Sequence, residues 1–227
     1  MAAWGSEWAR QKCNLALSLS SGKCGGAYSE AVLILCAALN ALAADVWPSE
    51  RIDRKRFVEL LKRFSPGTLS PTQISVPLLC ASLRRRRKKR PAKPATARKM
   101  AQMYLDFEHA RVIVGSEVDT SEREILKLFP NLTKEEVRAC SYANLLYTEL
   151  RSGYAHEYRP GKRADSFPMT TRKDAQISYV NCLDARDRQI HFHMTWLSQL
   201  VIETAKAIDA LPSRIPARKP KRWWVDG

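Results

Sequence analysis

The stretch from Ala27 to Val46 constrains the fold more than any other part of the chain. It reads Ala-Tyr-Ser-Glu-Ala-Val-Leu-Ile-Leu-Cys-Ala-Ala-Leu-Asn-Ala-Leu-Ala-Ala-Asp-Val, rich in Ala and Leu and apolar almost all round. Ala and Leu are strong helix formers, and a helix apolar on every side belongs at the centre of a bundle. Its longest apolar run, Ala31 to Leu39, resumes over Ala41–Ala44 after Asn40, with Glu30 and Asp45 as flanks. That run falls short of the roughly 18 residues a membrane span needs. The expectation is a core helix and no membrane, closed by Pro48.

The segments around it read as partners for that core. An amphipathic helix over 5–19 puts Trp8, Leu15 and Leu19 on one face and is broken by Gly22, Gly25 and Gly26. Asp53 caps a helix from Arg54 to Phe64, with Phe57, Leu60, Leu61 and Phe64 at helical spacing, stopped at Ser65-Pro66-Gly67. Ser70-Pro71 reads as the start of a helix over 70–83. A weaker helical stretch covers 96–109, and a short helix runs from Ser121 to Leu128. Thr133-Lys134-Glu135-Glu136 is a capping box, in which hydroxyl and carboxylate satisfy each other's backbone amides. It launches a helix carrying Val137, Cys140, Leu145 and Leu150. Beyond Pro160-Gly161 the period falls to two. Ile177–Cys182 and Gln189–Met194 alternate as two strands joined across Asp184–Arg188. Thr195 is placed to cap a last helix, Trp196 to Ala210, with Leu197, Leu200, Val201, Ala205 and Ile208 inward. The fold class is therefore mainly α: a bundle of four to five helices with a small β-hairpin before the last one.

Charge narrows the function. The 227 residues carry 38 Lys+Arg against 23 Asp+Glu, a formal net charge of +15. Such a chain attracts polyanions and binds them in a salt-sensitive way; the plainer alternative is a globular protein with a basic loop and tail. The run Arg84, Arg85, Arg86, Arg87, Lys88, Lys89, Arg90 cannot enter a packed core. It reads as a basic loop, about 84–99, suited to RNA. The tail from Pro212 is basic too, and its Trp223 and Trp224 either stack on single-stranded RNA or pack on the chain's own bundle or on a second copy. Cys13, Cys24, Cys36, Cys80, Cys140 and Cys182 form no Cys-x-x-Cys pair, so buried free thiols are expected. No basic-then-apolar leader opens the sequence, which makes the cytoplasm the default compartment. His191-x-His193 would put two rings on one face of a strand, but no third ligand accompanies them, so no metal or other cofactor is expected.

The chemistry concentrates in Arg151-Ser152-Gly153-Tyr154-Ala155-His156-Glu157-Tyr158. A guanidinium forks onto two phosphate oxygens and holds developing negative charge. An imidazole with a reference pKa of about 6.5 gives or takes a proton near neutrality. RNA supplies its own nucleophile: a base removes the 2′-hydroxyl proton, the oxygen attacks phosphorus, and an acid protonates the departing 5′ oxygen. Positions five apart on an ideal helix lie roughly 140° from each other. Either Gly153 loosens the last turn and brings Arg151 and His156 together, or each chain offers its pair to a cleft shared with a second copy. Asn40, which interrupts the apolar helix, is either a polar helper near that cleft or a core hydrogen-bonding group. Plainer roles exist for the other three: Arg151 capping carbonyls, His156 buried with one backbone bond, Tyr158 a core aromatic.

Leu150-Arg151-Ser152-Gly153-Tyr154-Ala155-His156-Glu157-Tyr158 resembles the signature of the HEPN superfamily, an arginine followed after four to six residues by a histidine. The tyrosine two beyond the histidine is similar to the version in HEPN toxins paired with minimal nucleotidyltransferase antitoxins. Glu30 to Leu42 resembles the apolar first helix of that group, and Ile52 to Leu61 the segment after it in many bacterial members. The resemblance implies a HEPN-like domain over 25–211, flanked by an N-terminal helical extension (1–24) and a basic aromatic tail (212–227). It also implies a homodimer and metal-independent endoribonuclease activity of a toxin or defence kind. By it, Arg151 and His156 are the catalytic pair, Ser152 orients the phosphate, and Tyr158 is a supporting or adenylylated residue. Relatives commonly carry Asn, Asp or His where this chain has Ser152. The alternative is therefore a non-catalytic HEPN protein that binds nucleic acid or nucleotide, or regulates a partner.

Overall fold

The computed structural model of the chain describes residues 4–22, 25–49, 51–85, 93–107, 109–165, 176–181, 187–211 and 219–227. It is mainly helical with one small antiparallel sheet. Helix α1 (Trp4–Ser20) packs on α2 (Tyr28–Val46), which in turn meets α3 (Asp53–Phe64). Next come α4 (Val76–Arg85) and α5 (Lys93–Ala101), strand β1 (Val112–Val114), and the short α6 (Gly115–Val118), α7 (Glu122–Leu128), α8 (Lys134–Arg138) and α9 (Tyr142–Leu145). A π-helical turn over Leu146–Arg151 leads into α10 (Ser152–Glu157). Strands β2 (Ile177–Val180) and β3 (Gln189–Phe192) precede α11 (Met194–Asp209).

Helix α2 is the central post. It is long and apolar enough by composition to cross a membrane, yet ten of its residues are buried, among them Ala31, Val32, Leu35, Leu39 and Ala43. Ala at the contact positions lets neighbouring helices approach closely. The N-terminal extension belongs to the same core: Ala9, Cys13 and Ala16 of α1 are buried. Asp209 at the end of α11 accepts from Gly5 N (3.2 Å) and Ser6 N (2.7 Å), capping α1 across the fold. A second apolar cluster joins α4, α5, α7 and α8 through Leu79, Leu83, Met100, Ile125, Phe129 and Val137. Cys13, Cys36, Cys80 and Cys140 are buried free thiols, while Cys24 and Cys182 lie outside the described residues.

The expected hairpin is present and forms part of a three-stranded sheet in the order β1-β2-β3. All four residues of β2 are buried, so its alternation does not mark a wet face. Several boundaries differ from expectation. Residues 70–75 form a turn and a bridge of Ile74 to Thr120 and Ser141, and α4 starts at Val76, where Asp119 Oδ1 accepts the Val76 amide at 2.9 Å. The single helix expected after the capping box breaks at 139–141. Ser75 N takes the Cys140 carbonyl (2.9 Å), Tyr142 N donates to Gln73 O (3.0 Å), and Ser141 recaps the chain. Helix α11 begins at Met194 behind His193, not behind Thr195, because β3 runs directly into it. Both ends of the expected basic loop are helical: Arg84 and Arg85 close α4 and residues 93–99 belong to α5, while Arg86, Arg87, Lys88, Lys89 and Arg90 lie outside the described residues.

The tail takes the self-packing option. Trp223 is 6% exposed and meets Trp47 edge-on at 5.6 Å, which removes it from any stacking role. Trp224 lies under the Arg138 guanidinium (4.9 Å), its amide donates to Glu59 Oε2 (2.9 Å), and its carbonyl accepts from Arg138 Nη1 (2.6 Å). His191 of β3 and His193, which joins β3 to α11, are also structural. His193 Nε2 lies 2.7 Å from Ser178 Oγ, and His191 stacks on Tyr28 with ring centroids 5.2 Å apart.

Burial pushes His191 down to about 4, with His193 adding to the effect. The folded pKa lies below the unfolded value of roughly 6.5, so the unfolded chain takes the proton first as pH falls. This residue's stabilising contribution is thus complete above about pH 6.5 and is lost between there and about 4, amounting to about 3 kcal/mol. In denaturant melts the parent should lose that much stability relative to His191→Phe as pH falls through the window, with no change in their difference above it. A pH-independent gap would contradict this account.

Candidate functional site

The residues of the motif are held by the segment that follows them. The chain turns back after α10 through Tyr158, which adopts left-handed backbone angles (φ 53°). Gly161 N then donates to Glu149 O at 2.7 Å. Glu149 Oε1 accepts from Arg163 Nε (2.8 Å) and lies 2.6 Å from its Nη2, and Arg163 N reaches Oε2 (3.1 Å). Gly153 has no freedom-giving role. A side chain there would meet the Arg159 carbonyl at 2.5 Å and Gly161 N at 2.9 Å, so glycine is needed to let the return segment lie against the helix. The turn is thereby fixed on both sides of His156.

Helix α10 stays α-helical through Gly153, so the last turn is not loosened. The five-residue spacing leaves Arg151 and His156 roughly 140° apart within one chain. Arg151 is half-buried, its guanidinium 5.3 Å from the Tyr147 ring, and its field works against the burial that pushes the Cys36 thiol up to about 12. It therefore faces α2 and does not serve as a carbonyl cap. His156 is exposed, with no hydrogen bond among the described residues, which removes the buried-histidine alternative. Ser152 is half-buried, and its amide donates to Tyr147 O, the five-residue reach that defines the π turn. Such turns recur at functional sites.

Tyr158 is 57% exposed and is no core aromatic. Its hydroxyl donates to Glu30 Oε1, and this bond leads the causes that hold the Glu30 carboxyl down at about 2. The other Glu30 oxygen accepts from Ala27 N (2.8 Å) and Ser29 Oγ (3.0 Å). One carboxylate thus caps α2 and clasps the end of the motif. Asn40 is half-buried with Oδ1 unpartnered among the described residues, so it makes no core hydrogen bond through that atom. Behind the motif lie Tyr28, Cys36 and Tyr154, with the Tyr154 hydroxyl and His191 Nδ1 buried and without hydrogen-bond partners among the described residues.

A second constellation escaped sequence reading. Tyr142 and Tyr179 both donate their hydroxyls to Asp119 Oδ2. Burial pushes the Asp119 carboxyl up to about 7 against the downward pull of those two hydroxyls and the Val76 amide. Gly115 makes room for it, since a side chain there would stand 2.7 Å from the Tyr142 hydroxyl and 3.0 Å from Asp119 Oδ2. Three residues on three separated segments give no local pattern, so no spacing could have announced them.

Of the basic run, Arg84 and Arg85 are exposed, and Arg85 pairs with Asp187 at 2.7 Å. No group of three or more potential metal ligands occurs among the described residues. Compared with protein-family models, curated proteins and solved structures, the chain matches none.

Proposed function

We propose that the chain is an endoribonuclease of HEPN type that cleaves RNA as a homodimer. The observation that carries this reading is the exposed His156, unpartnered among the described residues, on a turn pinned by Gly153, Gly161 and the Glu149–Arg163 pair. A free imidazole on a rigid mount is what proton transfer to a bound ligand requires. Arg151 stands earlier on the same winding, stacked on Tyr147 and so restricted in its rotamers. Its guanidinium would take the non-bridging phosphate oxygens, where negative charge grows during attack by the 2′-hydroxyl. His156 removes the hydroxyl proton or returns one to the departing 5′ oxygen. Because the two side chains point apart within one chain, the reading places complementary residues from a second copy across the cleft.

Ser152 favours a second reading, in which the same surface binds RNA and does not turn it over. One experiment separates the two. Parent protein with labelled single-stranded RNA and excess chelator should yield products ending in a 2′,3′-cyclic phosphate. Arg151→Ala should cut about 10²–10³-fold more slowly. Salt-sensitive binding without product, at enzyme in excess over RNA, would establish the binding reading instead.

A further inference from the structure

We propose that the cleft between the end of α4 and the end of the β2–β3 pair, where β2 finishes and β3 begins, is a nucleotide-binding pocket that takes one unstacked base of single-stranded RNA. Pro77, Ala81, Ala101, Tyr104 and Leu105 form its apolar walls, and Arg84, Asn181, Asp187 and Arg188 supply its polar groups. The space is about 210 Å³. That is below the roughly 300–1,000 Å³ typical of drug-sized ligands, and suits one flat ring system.

The chemistry of the lining selects the ligand. Leu105 is 54% exposed although large and apolar, and it borders Tyr104, whose half-buried ring packs on the core beside it, so an apolar surface and an aromatic ring line the cleft together. Bases splayed from a single strand are bound by stacking on such surfaces. Asn181 is exposed, and its carboxamide makes no hydrogen bond among the described residues. It offers both a donor and an acceptor to a base edge. Asp187 Oδ2 accepts from Arg85 Nε (3.1 Å) and Nη2 (2.7 Å), and its Oδ1 has no hydrogen-bond partner among the described residues and is offered to an exocyclic amine. Arg84 is exposed and makes no ion pair or hydrogen bond among the described residues, so its fork is available for a phosphate. Arg188 is a fixed post: Nη2 donates to the Phe107 carbonyl (3.0 Å) and the Ala110 carbonyl (2.8 Å).

The pocket is joined to the motif through one strand. Ala164 pairs with Ile190 of β3, and Gln189, next to Arg188, donates to the Lys162 carbonyl at 3.3 Å. On this return segment Arg159 pairs with Glu157 (2.7 Å) and Arg163 with Glu149 (2.6 Å), while Lys162 is exposed, so a strand bound in the pocket meets the Lys162 charge on the way toward Arg151 and His156. This inference rests on the RNA reading of that motif, and it adds where a base outside the scissile step is held.

The test uses full-length protein and a single-stranded RNA hexamer carrying one 4-thiouridine, irradiated and mapped by mass spectrometry. Crosslinks are expected at Tyr104, Leu105 or Asn181. Arg84→Gln and Leu105→Ser, both at exposed positions, should each weaken hexamer binding about fivefold, and Arg84→Gln should lower the slope of log affinity against log salt by about one. Crosslinks confined to other segments, unchanged affinity in both variants, or no hexamer binding by the parent would each overturn the pocket. Binding at the pocket with no cleavage by the parent would instead overturn the catalytic reading and leave this one standing.

Discussion

Replacing His156 by Ala is expected to slow RNA cleavage by about 10²–10⁴-fold, the range that a positioned acid or base contributes. The fold should not notice. His156 is exposed and makes no hydrogen bond among the described residues, so its loss removes no packing and strands no partner. Exposed substitutions of this kind usually stay within about 0.5 kcal/mol. The expected pattern is a thermal melt that overlays the parent, RNA affinity within twofold, and product formation near background. The single-turnover rate at saturating enzyme is the deciding measurement, because it removes binding from the comparison. A variant that cuts as fast as the parent would falsify the assignment of His156 as the proton-transfer group.

The second large effect is on stability. Asp119→Ala should cost about 3 kcal/mol. It removes the acceptor of the Val76 amide at the start of α4, a loss of about 1 kcal/mol by analogy with capping residues. It also withdraws the shared partner of the buried Tyr142 and Tyr179 hydroxyls, and a buried donor left unsatisfied costs about 1–3 kcal/mol. For a chain of this length the melting temperature should fall by roughly 10 °C. Asp119→Asn keeps one acceptor oxygen and should lose about half as much. Because burial raises the Asp119 carboxyl to about 7, its folded pKa exceeds the unfolded one. Its contribution is therefore full at low pH and declines as pH rises through 7, the reverse of His191. Chemical denaturation of the three proteins at pH 5 and pH 8 checks both the size and the sign. A loss under 1 kcal/mol for Asp119→Ala would mean that the two tyrosines find other acceptors.

The parts of the structure that were legible from sequence are those governed by neighbours in the chain. The apolar pattern of 28–46 and the spacing of Phe57, Leu60 and Leu61 mark α2 and α3 without help from the rest of the fold. The capping box at Thr133 forms as its residues require, with Glu136 N to Thr133 Oγ1 at 3.2 Å and Thr133 N to Glu136 Oε2 at 2.9 Å. What was not legible depends on distant segments. Strand β1 is three residues long and exists because β2 pairs with it, Ile113 opposite Tyr179. The helix expected through 139–141 is broken by Gln73 and Ser75, about seventy residues earlier in the chain, and local helix propensity loses to those bonds. The motif was found as residue types, but its geometry was not. Gly153 reads as a hinge and turns out to be a contact point, and the clasp of Tyr158 on Glu30 spans most of the fold.

The wide winding over Leu146–Arg151 makes chain length there a determinant of direction. One surplus residue is accommodated in that coil, and every side chain after it is turned by about 100° relative to a regular helix. Winding the same residues as an even α-helix would swing Arg151 away from α2, whereas excising a single residue between Leu146 and Leu150 would restore even winding and leave Arg151 on the same side. Chains that share these residue types but wind this stretch as a regular helix would aim them elsewhere.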